Sequence, residues 1–152
     1  MRKKILVVVD YQYDFFNPNG ALYVNGAEKL QEKIEAIIPN FDHVIFTLDW
    51  HPLDHCSFIE NGGQWPTHCV NSTIGAGIPL SMIKCAKSHS FVSKGYVQDE
   101  EEYGAFSENC DLAVEIDYTC DMFNDAEYSI SYDDICIKIL KSDFELVICG
   151  VA

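Results

Sequence analysis

Ile5-Leu6-Val7-Val8-Val9-Asp10 decides the fold: five apolar residues, four of them β-branched, that stop on a carboxylate. A run so short and so uniformly apolar reads as a strand buried on both faces, as in a parallel sheet. Its acid then marks the carboxyl end, where such sheets bind ligands. The preceding Met1-Arg2-Lys3-Lys4 is basic, but five apolar residues are too few for a signal-peptide core. A second run, from His43 to Leu48, closes on Asp49, and Ser90 to Ser93 is a weaker third strand that closes on Lys94. A fourth, from Glu145 to Cys149, enters the turn Gly150-Val151-Ala152. Between the first two, Ala27 to Ile38 carries Leu30, Ile34, Ile37 and Ile38 at helical spacing, after Asn25-Gly26 and before Pro39. Asp133 to Lys141 is expected to form a further helix. The alternation predicts an α/β domain on a parallel sheet, its first two strands joined as a right-handed βαβ unit.

With 152 residues, 48% of them hydrophobic, the chain has the size of one globular domain, residues 1–152. No stretch approaches the roughly 20 apolar residues of a membrane span, so no membrane partner is expected. The seven cysteines form no CxxC pair, and an odd count without a leader points to reduced thiols in the cytoplasm. A net charge of −14 excludes nucleic acid as a partner, because that binding rests on cations neutralising phosphates. From Gly95 to Ile137 there are thirteen of the 24 acidic residues, five tyrosines and no Lys or Arg. An acidic insertion at about 97–134 is expected, solvated but packed in parts.

Polar groups gather where the strands end. Asp49-Trp50-His51-Pro52-Leu53-Asp54-His55 and the later Trp65-Pro66-Thr67-His68 place a carboxylate and three imidazoles within twenty residues. That set suits one borderline divalent cation, Zn²⁺, Fe²⁺ or Mn²⁺. Alternate residues of an extended stretch share a side, so Asp49 and His51 can reach one ion. Spacing leaves open whether His55 or Glu60 joins them. Asp10 and Lys94, brought together at the carboxyl ends, would form an ion pair able to tune a third group.

The DxQxDF of Asp10, Gln12, Asp14 and Phe15 comes first of five motifs in order along the chain. The others are DWHPxDHxSF from Asp49 to Phe58, WPxHCV from Trp65 to Val70, the Lys94-Gly95 pair and the closing Cys149-Gly150-Val151-Ala152. Together they resemble the nicotinamidase/pyrazinamidase branch of the isochorismatase-like cysteine hydrolases. The resemblance implies a three-layer α/β/α fold and hydrolysis of nicotinamide to nicotinate and ammonia through a cysteine thioester, a step of NAD salvage. It implies Asp10 as general base and Lys94 as its catalytic partner. The metal ligands would be Asp49, His51 and His68, with His55 used in some members, and Zn the expected ion ahead of Fe or Mn. Phe15 and Trp65 match aromatic walls of the pyridine pocket, Tyr103 is a further candidate for it, and the backbone N–H of Ala152 belongs to the oxyanion hole. The expected partner is a small-molecule amide, nicotinamide or pyrazinamide-like, and the acidic insertion offers a wall of the pocket or a contact in a homo-oligomer.

The family nucleophile is a cysteine a few residues beyond the alanine, so on this reading the chain is truncated just before it. The 152 residues alone are then expected to be inactive. Cys149 and Cys69 are read as packing residues. Two alternatives stand beside this expectation: a non-catalytic remnant that binds metal or a pyridine ligand, and another amide hydrolase of the same superfamily.

Overall fold

Four parallel strands form one sheet in the order β3-β2-β1-β4, in the computed structural model that describes residues 3–105 and 144–151. They are β1 (Lys3–Val9), β2 (His43–Asp49), β3 (His89–Lys94) and β4 (Phe144–Gly150). Each contains the run expected from sequence, lengthened by a residue or two where the ladder continues beyond the apolar core. The expected helix Asp133 to Lys141 lies outside the described residues, as do residues 106–134 of the acidic segment.

The stretch Ala27 to Ile38 is helical but not one helix. A 3₁₀ turn, Ala27–Leu30, leads into α2 (Gln31–Ile37), and a second 3₁₀ turn, Ile38–Asn40, ends it. Gly26 enters with φ 86°, a left-handed conformation that glycine adopts at little cost. Pro39 lacks the amide hydrogen that another α-helical turn would need. Two short helices had no periodic signal at all: α1 (Tyr13–Phe16) and α3 (Leu80–Cys85) are four and six residues long.

Strand alternation builds the core. Leu6, Val8, Val44 and Phe46 project to one face, where Ile34 and Ile38, Met82 of α3 and Phe16 of α1 cover them. Tyr11 joins this cluster, its ring stacked on Phe16 at 4.7 Å and its hydroxyl donating to Ala27 O at 2.8 Å. Ile5, Val7, Ile45 and Val92 face the other way and meet Ala105. Sheet and one helical layer of the α/β/α arrangement are thus present in the described residues.

Register places the strand ends. β1 is central, paired to β2 from Ile5↔His43 to Val8↔Phe46 and to β4 from Lys3↔Phe144 to Val9↔Gly150. β2 and β3 end on the same rung, Asp49↔Lys94. Successive strands run outward from β1 to β3, whereas β4 lies on β1's other side. The strand order therefore reverses between β1 and β4, which puts a crevice beside Asp10 at the carboxyl ends.

Candidate active site and metal centre

Asp10 leaves β1 with φ 47°, the left-handed region that aspartate tolerates better than most residues. The turn directs its carboxylate back over the sheet. Thr47 Oγ1 donates to Asp10 Oδ1 at 2.6 Å, and Lys94 Nζ lies 3.0 Å from Asp10 Oδ2. Lys94 also donates to Asp49 Oδ1. All three groups are at least nine-tenths buried, so water screens them little. Two carboxylates share one ammonium, and the shares are unequal. Burial opposes ionisation of Asp49, but the polar imidazoles of His51 and His68 beside it and the charge of Lys94 hold it well below the usual carboxylate range. For Asp10 burial dominates, and with the Asp49 charge it raises the carboxyl above its ordinary value against the pull of Lys94. Burial disfavours the Lys94 ammonium, yet the two carboxylates keep it charged, its pKa raised. The cluster thus holds one firmly ionised acid and one with raised proton affinity, as a general base requires.

Asp49, His51 and His68 are buried and each offers a ligand atom, all within 4.8 Å of one another. His51 Nε2 and His68 Nε2 each lie 3.7 Å from Asp49 Oδ2. The remaining ring nitrogens fix the tautomers. His51 Nδ1 contacts Gly95 O and His68 Nδ1 contacts Pro66 O, both at 2.7 Å. A carbonyl only accepts, so both Nδ1 atoms carry hydrogen and both Nε2 lone pairs face the carboxylate. Asp49 Oδ2 and the two Nε2 atoms converge, while Lys94 engages the other carboxylate oxygen. This group fits a divalent metal ion.

His55 sits beside this group without turning a nitrogen into it. Its ring lies tilted, 4.2 Å from that of His51, while Nδ1 meets Ser57 Oγ at 2.7 Å and Nε2 donates to Glu100 O at 2.9 Å. Exposed Glu60 accepts from Thr67 Oγ1 at 3.0 Å instead of reaching the cluster. Phe15 is buried, its ring 5.6 Å from that of His68. Half-buried Trp65 bridges to Phe58. Tyr103 is 67% exposed and its hydroxyl accepts from Gln64 Nε2 at 3.0 Å, so it is not brought against the ligand group. Ala152 lies outside the described residues; the amide before it, Val151 N, donates to Val9 O at 3.2 Å. Gly150 precedes that turn with φ 147°, and a Cβ there would strike the Val9 backbone.

Cys69 and Cys149 are placed as packing groups. Cys69 is buried with Phe15 and Ala76, and Cys149 packs against the core from β4; burial raises both thiols. A thiol so raised is a poor nucleophile. An apolar cavity of about 160 Å³ between α3 and the sheet is lined by Leu48, Trp50, Phe91 and Ser93 among others. These residues alternate with Asp49 and Lys94, so the cavity lies on the sheet face opposite their side chains.

Three polar residues of the site carried no role in the sequence reading. Thr47 is the one hydroxyl in an otherwise apolar stretch of β2, which is the signal that marks it. Gln12 is fully buried and bonds to the backbone of Asp49. Asp14 accepts from Cys69 N at 2.7 Å and Ala21 N at 3.1 Å, gripping the loop next to His68. The spacing of Gln12 and Asp14, every second residue from Asp10, was visible in sequence, but Asp49 and Cys69, whose backbones they hold, lie far away in the chain.

No protein-family model matches the chain. It is 32% identical over 133 residues to the nicotinamidase of Saccharomyces cerevisiae, covering 68% of this chain and 62% of that protein. To the nicotinamidase of Acinetobacter baylyi it is 33% identical over 119 residues, covering 68% of this chain and 55% of the relative. The chain thus spans 55% to 62% of the length of these curated relatives. Among solved structures, the pyrazinamidase of Pyrococcus horikoshii in complex with zinc superimposes with a TM-score of 0.69 at 32% identity, over 99% of this chain and 71% of that one. PnC1 from L. infantum in complex with nicotinate gives a TM-score of 0.74 at 29% identity, over 99% and 67%. On the strength of this shared sequence and shared sheet, the chain belongs to the nicotinamidase/pyrazinamidase family of isochorismatase-like hydrolases.

Proposed function

We propose that the protein hydrolyses nicotinamide to nicotinate and ammonia in the cytoplasm. The observation that carries this is the joining of two functional groups through one cation: Lys94 contacts both Asp10 and Asp49, and Asp49 faces His51 and His68. A base of raised pKa, a fixed ammonium and a three-donor metal group then stand at one crevice. A divalent ion held by Asp49, His51 and His68 would supply an electrophilic anchor for the ring nitrogen of a pyridine amide. Zinc is the ion we favour, as in the P. horikoshii structure. The four free thiols among the described residues fit a reducing compartment.

In this reading Asp10 takes the proton of a cysteine thiol, which the family pattern places after the Val151-Ala152 turn. The sulfur attacks the amide carbon as the C–N bond breaks, and the proton passes from Asp10 to the departing ammonia. Asp10 next takes a proton from the water that cleaves the thioester, and the thiol is regenerated. Lys94 holds the Asp10 carboxylate in place and Thr47 fixes its rotamer by accepting from its N–H and donating to Oδ1. Phe15, packed beside His68, supports one wall for a flat ring, with Trp65 as a second candidate.

The test is ammonia release from nicotinamide by the full-length gene product, with zinc supplied and then removed by chelation. Release that depends on metal supports the reading, and none with metal bound rejects it. Asp49, His51 and His68 all lie within the described residues, so metal binding is expected of them.

A further inference from the structure

The amide of Gln12 meets the main chain of Asp49 through two hydrogen bonds, and the reason lies in how β1 ends. Alternate residues of a strand aim their N–H and C=O to the same side, so Thr47 and Asp49 both address β1. Thr47 O is answered by the backbone N–H of Asp10 at 3.2 Å. One rung further β1 has gone, because Asp10 turns the chain away at φ 47°. The N–H and C=O of Asp49 would be left unpaired in a residue that is only 7% exposed.

Gln12 fills that place. Asp49 N donates to Gln12 Oε1 at 2.8 Å, and Gln12 Nε2 donates to Asp49 O at 2.7 Å. The second hydrogen of Nε2 goes to Ala76 O at 3.0 Å, in the loop packed against Cys69 and Phe15. A carboxamide carries donor and acceptor side by side, as a peptide group does. Glutamate would set an oxygen against Asp49 O, and methionine would match the shape while leaving three buried backbone groups without partners.

We propose that Gln12 is a positioning residue of the metal centre: its carboxamide stands in for the missing rung of β1 and fixes the backbone of Asp49. Affinity and coordination geometry for a divalent cation then depend on a residue that touches neither ion nor substrate. The proposal rests on the reading of Asp49, His51 and His68 as metal ligands.

The experiment titrates Co²⁺ into metal-free full-length protein and records the affinity and the visible absorption of the bound ion. Wild type is compared with Gln12→Met, Gln12→Ala and Tyr11→Phe. Tyr11→Phe is the reference for loss of a buried hydrogen bond nearby, since the Tyr11 hydroxyl bonds to Ala27 O and not to the site. Gln12→Met should bind Co²⁺ about 10- to 100-fold more weakly, with an altered absorption band, as for other residues that orient metal ligands. Gln12→Ala, which admits water to the vacated positions, should show the same direction of change if the methionine variant does not fold. Tyr11→Phe should bind as wild type does. Equal affinity and an unchanged band in both Gln12 variants overturn the proposal, as does an equal loss in Tyr11→Phe. Failure of the wild type itself to bind Co²⁺ overturns instead the metal reading beneath it.

Discussion

At Asp10 two demands meet: the carboxylate must be ionised to accept a proton and buried enough to want one. Burial raises its pKa and Lys94 restrains the rise. Asp10→Asn keeps the shape and the contact with Thr47 but removes the base. Its expected effect is a loss of about 10²- to 10⁴-fold in turnover of nicotinamide, with Co²⁺ affinity within about twofold of wild type. Steady-state ammonia release and metal titration together check it. Lys94→Met acts differently, since it leaves the Asp10 and Asp49 carboxylates buried face to face. Removing one partner of a buried ionic group costs roughly 3–5 kcal/mol, and denaturant unfolding of the metal-free protein should show a loss of that order.

The turn after β3 shows how an element constrains the centre. Gly95 has φ 63°, and a Cβ there would run into the imidazole of His51, whose Nδ1–H donates to the Gly95 carbonyl. Gly95→Ala is therefore expected to weaken metal binding at least about tenfold, because it displaces a ligand ring and strains the backbone together. Metal titration beside a circular-dichroism spectrum separates that from unfolding. The strands and the donor group of Asp49, His51 and His68 were legible in sequence because each rests on a local pattern. Apolar runs end on Asp10, Asp49 and Lys94, and DWH and WPxH bring their own donors. Two kinds of feature were not legible. Helices α1 and α3 are shorter than the window, about 11–18 residues, over which a helical period can be detected. The division of the imidazoles was hidden because the bonds that orient two of them, His55 Nε2 to Glu100 O and His51 Nδ1 to Gly95 O, join segments more than forty residues apart.

For the molecule as a whole, His43 sets a stability limit in acid. It lies between Ser88 and Ser90 at the amino end of β2, near His89, far from the ligand group. Burial, with the nearby His89, lowers its pKa from an ordinary 6.5 to about 4. Above pH 6.5 both folded and unfolded chains hold it neutral, and it contributes nothing to the pH dependence. Between 6.5 and about 4 the unfolded chain takes the proton first, so stability falls as pH falls, by up to about 3 kcal/mol. Burial shifts His89 the same way and deepens the loss. Thermal unfolding against pH should show this slope in wild type and a shallower one in His43→Gln. Metal acts in the opposite sense, for an ion that binds only the folded chain at about 100 times its Kd adds roughly 2.7 kcal/mol. A chelator should therefore lower the melting temperature, and no change would argue against binding. The pairing of β1 with β4 carries a further consequence, in the order of events during translation. Ile5 lies beside Leu146, so one side of the central strand waits until Leu146 has been made. Asp10, Asp49, His51, His68 and Lys94 have all been synthesised by residue 94, while β2 and β3 are already available to pair. At roughly 5–20 residues per second, several seconds separate that moment from the arrival of β4. During that interval every ligand of the metal group exists on the nascent chain while one edge of β1 still lacks its partner strand.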